Sequence, residues 1–293
     1  MQKEFIEIVK QFILTMSKFL EKLEVRTADD FKEADHPRDK DGKFAKINGS
    51  KNNKNENQSS KENKEKDEEN SNNSKQMPND IDKINSDIVE LAKENSSQIC
   101  AYLDGEGIEK IPVTQLPKKL TDKEISFKVG RRDTTKGSCV SLALAYIGNK
   151  LGLDCMDFRG GKSLSFFKKR ASTILITGLA NGQVDMDKDD FKVASRLLKT
   201  LEQGKEYYFW TAQHASIVRK NDDNIEYLEL QDYKKLNGFR QLSNKILKER
   251  FGCKENDETV YSGLFDIENL KNNKDFYEIL GYINTNQKRR NWK

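Results

Sequence analysis

The sequence predicts an α+β domain in which a buried, cysteine-bearing helix packs on an antiparallel sheet, preceded by an amphipathic helix and a disordered tether. Three observations lead there. The run GSCVSLALAYIGNKLGL, residues 137–153, is apolar on nearly every side from Val140 to Leu153, the pattern of a helix buried on several faces. The segments EYYFWTAQHASIVRK and IEYLELQ read as strands near Tyr207, Ala215 and Ile225, with KNDDN as a hairpin turn between the last two. Residues 48–78 are dominated by Asn, Lys, Glu and Ser with no apolar period, so nothing there offsets the entropy of ordering the chain.

Composition agrees with that division. The chain has 293 residues, 35% of them hydrophobic and 34% charged, too polar for one compact domain of that length. The two signs nearly cancel, leaving a net charge of +4, which gives no long-range field for nucleic acid; the basic QKRRNWK terminus is explained equally well as a solvated tail. The four cysteines, Cys100, Cys139, Cys155 and Cys253, form neither a CxxC pair nor a dense framework, so a disulfide scaffold and a zinc site are not expected.

From the N-terminus, Phe5, Ile8, Val9, Phe12, Met16, Phe19 and Leu23 recur at helical spacing, interrupted by Lys3, Glu4, Glu7, Lys10 and Lys18. This predicts an amphipathic helix rather than a signal peptide or a membrane span, and such a helix needs a partner surface, preferentially protein. Residues 1–47 form a docking segment, 48–78 a linker and 79–293 a folded domain, of which 79–130 could be a lead subdomain. Within the domain, Ile81, Ile84, Ile88 and Leu91 mark a helix, and Ile125, Phe127 and Val129 alternate like a strand. Asp187 to Leu201 reads as a helix with Asp187 as the N-cap and Phe191, Ala194, Leu197 and Leu198 inward.

The chemistry centres on Cys139 and His214. The chain has two histidines, and His36 lies in a polar stretch without a core, so His214 is the imidazole a folded domain can use. A helix N-terminus and an adjacent imidazolium each lower a thiol pKa, giving a nucleophilic ion pair, and the Cys139 backbone N–H is an oxyanion donor. Gly137 and Ser138 leave room for a carbonyl to approach. On IEYLELQ the side chains alternate, so Glu229 and Gln231 share a face and either could fix the imidazole's tautomer, with Asp232 a third choice. The ordinary alternatives are a small hydrophobe at a buried helix start and a satisfied histidine at a strand edge.

Two resemblances extend this reading. DHPRDKDGKFA, residues 35–45, resembles a short segment in minor head proteins of tailed phages of the Mu-type head-morphogenesis group, implying a phage or prophage context, a virion partner and a target in the bacterial cytoplasm. Cys139 with its helix, LGLDCMDFRGG, the histidine strand and YLELQ resemble the papain-fold toxin domains, over roughly Arg131 to Asp232. That family implies Cys139 as nucleophile, His214 as base and Glu229 or Gln231 closing the triad, in a cysteine peptidase or deamidase acting on a protein substrate without cofactor or metal. Papain-like enzymes often place an oxyanion glutamine about six residues before the cysteine; that position here is Asp133.

Other strings point elsewhere. FRGGKS ends like a phosphate-binding loop, but Met156 occupies the place of its first glycine. DMDKDD starts like a calcium loop, but Asp190 replaces the glycine and Arg196 the final glutamate, so helix capping accounts for it better. The competing functions are a nuclease using His214 with Arg131, Arg132 and Arg219, and a non-catalytic module in which Cys139 is packing.

Overall fold

A computed structural model describes residues 99–101, 103–130, 135–231 and 238–286. The expected N-terminal helix, the Asp35–Ala45 segment, the linker, the helix from Ile81 to Leu91, Arg131 to Asp133, Asp232 and the basic tail lie outside the described residues.

A short strand β1 (Thr114–Gln115) pairs antiparallel with β2 (Leu153–Asp154), bracketing helices α1 (Asp122–Lys128) and α2 (Cys139–Lys150). Of the alternating Ile125, Phe127 and Val129, the first two are helical and Val129 is the extended C-cap. A capping box decides it: Thr121 Oγ1 accepts from the Glu124 N–H at 3.2 Å, while the Thr121 N–H donates to Glu124 Oε2 at 2.7 Å. Ile125 and the cap residue Val129, whose N–H donates to the Ile125 carbonyl at 2.9 Å, are both buried, and Phe127 turns outward, 69% exposed.

α2 is buried from Val140 through Asn149, as its sequence predicts. Leu142, Leu144 and Ile147 each contribute about 1.5–3 kcal/mol by leaving water. The helix stops three residues earlier than its apolar run, because Gly152 takes a left-handed φ of +92° and turns the chain into β2.

α3 (Gly161–Phe167), α4 (Arg170–Leu179), β3 (Gln183–Asp189) and α5 (Asp190–Leu198) follow. The helix expected from Asp187 thus begins three residues later. Asp187 pairs with Arg196 at 3.0 Å and lies in a strand, while Asp189 is the cap, its Oδ1 accepting from the Phe191 N–H at 2.9 Å. With Asp185 also bound to Arg196, at 2.6 Å, these acids serve the α5 junction.

The strands β4 (Glu206–Thr211), β5 (His214–Asn221), β6 (Asn224–Glu229) and β7 (Gly238–Gln241) come next. A short α6 (Asn244–Ile246) runs into a π-helical turn at Leu247–Phe251, followed by β8 (Glu255–Asp266) and α7 (Lys274–Ile283). One six-stranded sheet has the order β3-β8-β4-β5-β6-β7, every neighbouring pair antiparallel. Side-chain alternation splits its residues between two cores. Tyr208, Trp210, Ala215, Ile217 and Leu228 pack with α2, α4 and α7, whereas Tyr207, Phe209, Val218 and Tyr227 pack with α5 and Phe251. The α+β class and the cysteine helix against an antiparallel sheet are therefore as the sequence predicts.

An ion network fastens the C-terminal end of α2 to the sheet. Lys150 Nζ reaches Glu206 at 2.6 Å and also bonds Asp122, and Arg219 joins Asp122 at 2.9 Å and Glu226 at 2.7 Å. This fixes the opposite end of α2 from Cys139. No helix among the described residues is long and apolar enough to cross a membrane.

Candidate functional site

His214 opens β5 directly after a two-residue turn, Ala212-Gln213, that closes the Thr211↔His214 pair of the β4–β5 hairpin. Ala212 takes a left-handed φ of +46°, a conformation that costs a non-glycine residue energy and persists only where neighbours enforce it. They do so here from two sides: a guanidinium N–H of Arg170 donates to the Ala212 carbonyl, and the Gln213 N–H donates to the Phe251 carbonyl at 2.9 Å. The hairpin that aims the histidine is thus tied to α4 and to the π-helical turn.

Cys139 is the first residue of α2, reached through Gly137, whose φ of +79° suits glycine. A Cβ at Gly137 would also press on the Lys168 side chain at 3.3 Å. Ser138 does not cap the helix with its side chain; its hydroxyl donates back to the Thr135 carbonyl at 2.8 Å and so closes the preceding turn. Cys139 is partly exposed as a residue, although its thiol faces largely into the protein. Burial pushes its pKa up, opposed by the backbone N–H groups of Ala215 and Val140 and by the charges of Arg250 and Arg170.

His214 is 8% exposed, with its ring edge-on to Phe251 at 4.8 Å. Burial, reinforced by the Arg250 charge, holds its pKa well below the ordinary histidine value. The two side chains line the same two clefts, a larger and a smaller one, but no hydrogen bond joins them among the described residues. Both directions favour a thiol beside a neutral imidazole over the thiolate–imidazolium pair expected from the sequence. The two directions share one cause, since low-dielectric surroundings disfavour either charged form.

Neither Glu229 nor Gln231 hydrogen-bonds the imidazole. Glu229 is buried and held by Arg250, whose Nε reaches Oε2 at 2.7 Å and whose Nη2 reaches Oε1 at 3.1 Å. Gln231 accepts from Arg250 at 2.9 Å through Oε1, which turns its Nε2 toward Ser138 Oγ at 2.8 Å and the Thr135 carbonyl at 3.3 Å. The Gln231 N–H in turn donates to Glu229 Oε1 at 2.7 Å. The pair expected to orient the imidazole instead staples the end of β6 to the turn that carries Cys139. The smaller cleft brings Gln231 together with Cys139 and His214, so three of the four expected site residues meet there; Glu229 acts through Gln231 and Arg250.

The sequence reading missed Arg170, Arg250 and Phe251. Arg170 and Arg250 are separated from Cys139 by tens of residues and lie in charged stretches, FFKKRAS and LKERFGC, that resemble solvated faces. One signal was available: Gly252, which takes a φ of +79° right after Phe251, is the residue type that commonly ends a helical turn. No group of three or more His, Cys, Asp or Glu side chains among the described residues is arranged to hold a metal ion. No protein-family model, curated protein or solved structure matches this chain.

Proposed function

We propose that the domain is a papain-like cysteine hydrolase acting on a peptide bond or a glutamine side-chain amide of a protein substrate. One observation carries the reading: a partly exposed cysteine at the N-terminus of a buried helix shares both clefts with the one histidine of the described residues. Cys139 Sγ attacks the substrate carbonyl carbon while its proton passes to the His214 imidazole. Backbone N–H groups at the start of α2 stabilise the oxyanion. Collapse expels the amine, or ammonia from a glutamine, which takes the proton back from the imidazolium. Water then attacks the thioester with His214 as base, releasing the carboxylic acid and restoring the thiol.

The nuclease alternative needs Arg219, which is committed to Asp122 and Glu226 and stacked 3.6 Å from the Phe239 ring centre. A phage or prophage effector, carried by the N-terminal helix on a virion component and acting in the bacterial cytoplasm, is the biological setting we propose with it.

The test is labelling by a peptidyl vinyl sulfone at pH 7, site-resolved by mass. Cys139 is expected to be labelled in the native protein and not in His214→Ala, with Cys155 and Cys253, both buried, left untouched. Equal labelling of Cys139 in both proteins would refute the hydrolase reading.

A further inference from the structure

The larger cleft holds a cation that the proposed reaction does not use. Arg170 stands at the first position of α4 and lines the cleft together with Gly137, Cys139, Trp210 and His214. Its guanidinium lies 4.7 Å from the Trp210 ring centre and donates one N–H, through Nη2, to the Ala212 carbonyl. Among the described residues it makes no ion pair, and the one carboxylate whose charge acts on it, Asp190, lies beyond ion-pair contact. The other charged residue lining the cleft is Lys168, and no Asp or Glu lines it. Burial pulls the Arg170 pKa down, yet the group stays cationic, since a guanidinium is not deprotonated in a protein. A desolvated arginine normally has a carboxylate beside it, because an unpaired buried charge is costly. Glu229 shows the ordinary solution in this same fold, fully paired with Arg250. Arg170 has its flat face on an indole and most of its five N–H donors uncommitted, the arrangement suited to bidentate capture of a planar anion.

We infer that Arg170 is a specificity-determining residue that binds a carboxylate of the substrate, placing it in the Cys139 cleft beside the bond to be cut. This rests on the cysteine-hydrolase reading and narrows its substrate class to acidic peptides: the carboxylate is either a chain-terminal group next to the scissile bond or an Asp or Glu side chain. Trp210 supplies the apolar wall under the guanidinium, where exclusion of water strengthens the contact.

A purely structural Arg170, pinning the Ala212 turn, would change the site for charged and neutral ligands alike. The experiment separates the two roles by charge. Alkylation of Cys139 at pH 8 would be timed with three probes: N-iodoacetylglycine, bearing a terminal carboxylate; N-iodoacetyl-glutamic acid α-amide, bearing a side-chain carboxylate; and neutral N-iodoacetylglycinamide. Each forms the S–C bond with loss of iodide. Rates are normalised to glutathione, and native protein is compared with Arg170→Met, Arg170→Lys and His214→Ala, with folding checked by circular dichroism.

At least one anionic probe is expected to outpace the neutral one by about tenfold, the value of a charge-assisted hydrogen bond. Arg170→Met should abolish that preference and Arg170→Lys retain part of it; which carboxylate wins identifies its source. A ratio near one in the native protein, or one unchanged in Arg170→Met, would overturn the inference. If His214→Ala alkylates like the native protein with all three probes, it is the hydrolase reading that fails. If Arg170→Met does not fold, the native ratio and the Arg170→Lys variant still decide.

Discussion

Replacing Arg250 with methionine should cost the domain about 3 kcal/mol of stability, and the figure follows from what it leaves behind. Glu229 is 3% exposed and takes two hydrogen bonds from Arg250, at 2.7 and 3.1 Å; without them one donor remains, the Gln231 N–H at 2.7 Å. Removing one partner of a buried ion pair costs about 3–5 kcal/mol, most of it the penalty on the stranded charge. The lower end applies because the Arg250 side chain is 32% exposed, so water already screens one side of the pair. Glu229→Gln strands the more exposed partner and should cost less, about 1–2 kcal/mol. The double variant should fall short of the summed singles by roughly 2 kcal/mol. Urea denaturation of the four proteins measures this cycle. Single losses below about 1 kcal/mol that simply add would refute the argument that this pair organises the site. A functional reading accompanies it: without Arg250, Gln231 loses the contact that fixes its amide orientation, so Cys139 labelling should drop further than the folded fraction does.

Three other perturbations test separate parts of the structure. His214 has a folded-state pKa depressed below its unfolded value near 6.5, so its contribution to stability is full above that pH and is lost on acidification, at about 1.4 kcal/mol per pH unit until the folded pKa is passed. Urea midpoints at pH 7.5, 6 and 5 should therefore fall less steeply in His214→Gln than in the native protein, and parallel slopes would contradict a buried neutral imidazole. The iodoacetamide profile of Cys139 in the unliganded protein should have its midpoint above 9.0, the ordinary thiol value, since burial raises it; a midpoint below pH 7 would show a resting thiolate–imidazolium pair instead. Gly263→Ala should destabilise by about 2 kcal/mol or more, because its Cβ would lie 2.4 Å from Trp210 Nε1, an indole fixed by its bond to Thr177 at 3.0 Å; unchanged stability and tryptophan fluorescence would refute that close packing.

Elements whose own residues carry the pattern were legible in the sequence. α2 is apolar all round, β4 to β6 are short apolar runs, and the turns between them fall where the sequence breaks, so the meeting of Cys139 and His214 could be anticipated from chain order. Readings failed where one pattern admits two periods. Ile125, Phe127 and Val129 fit a strand by alternation and a helix by the i,i+4 pair, and the Thr121–Glu124 capping box, which settles it, is visible only when the polar flanks are weighed with the apolar positions. The acids of DMDKDD could cap a helix at several places, and the choice of Asp189 over Asp187 depends on Arg196, two helical turns away, and on β8 pairing with β3. Likewise the role of Gln231 was invisible because its orientation is set by Arg250, a residue that local pattern assigns to a surface.

Those two arginines bear on the proton transfer itself. A buried thiol and a buried imidazole each resist ionising alone, and Arg250 adds to the cost of an imidazolium while helping a thiolate. Transfer from Cys139 to His214 therefore creates one charge the surroundings favour and one they oppose. A substrate carboxylate held at Arg170 would offset that cation, which favours the imidazolium and disfavours the thiolate, so its effect on the transfer depends on which of the two it lies nearer. On the proposed reading, capture of a substrate carboxylate gives the Arg170 cation, which meets Asp190 only beyond ion-pair contact, a purpose that packing alone does not.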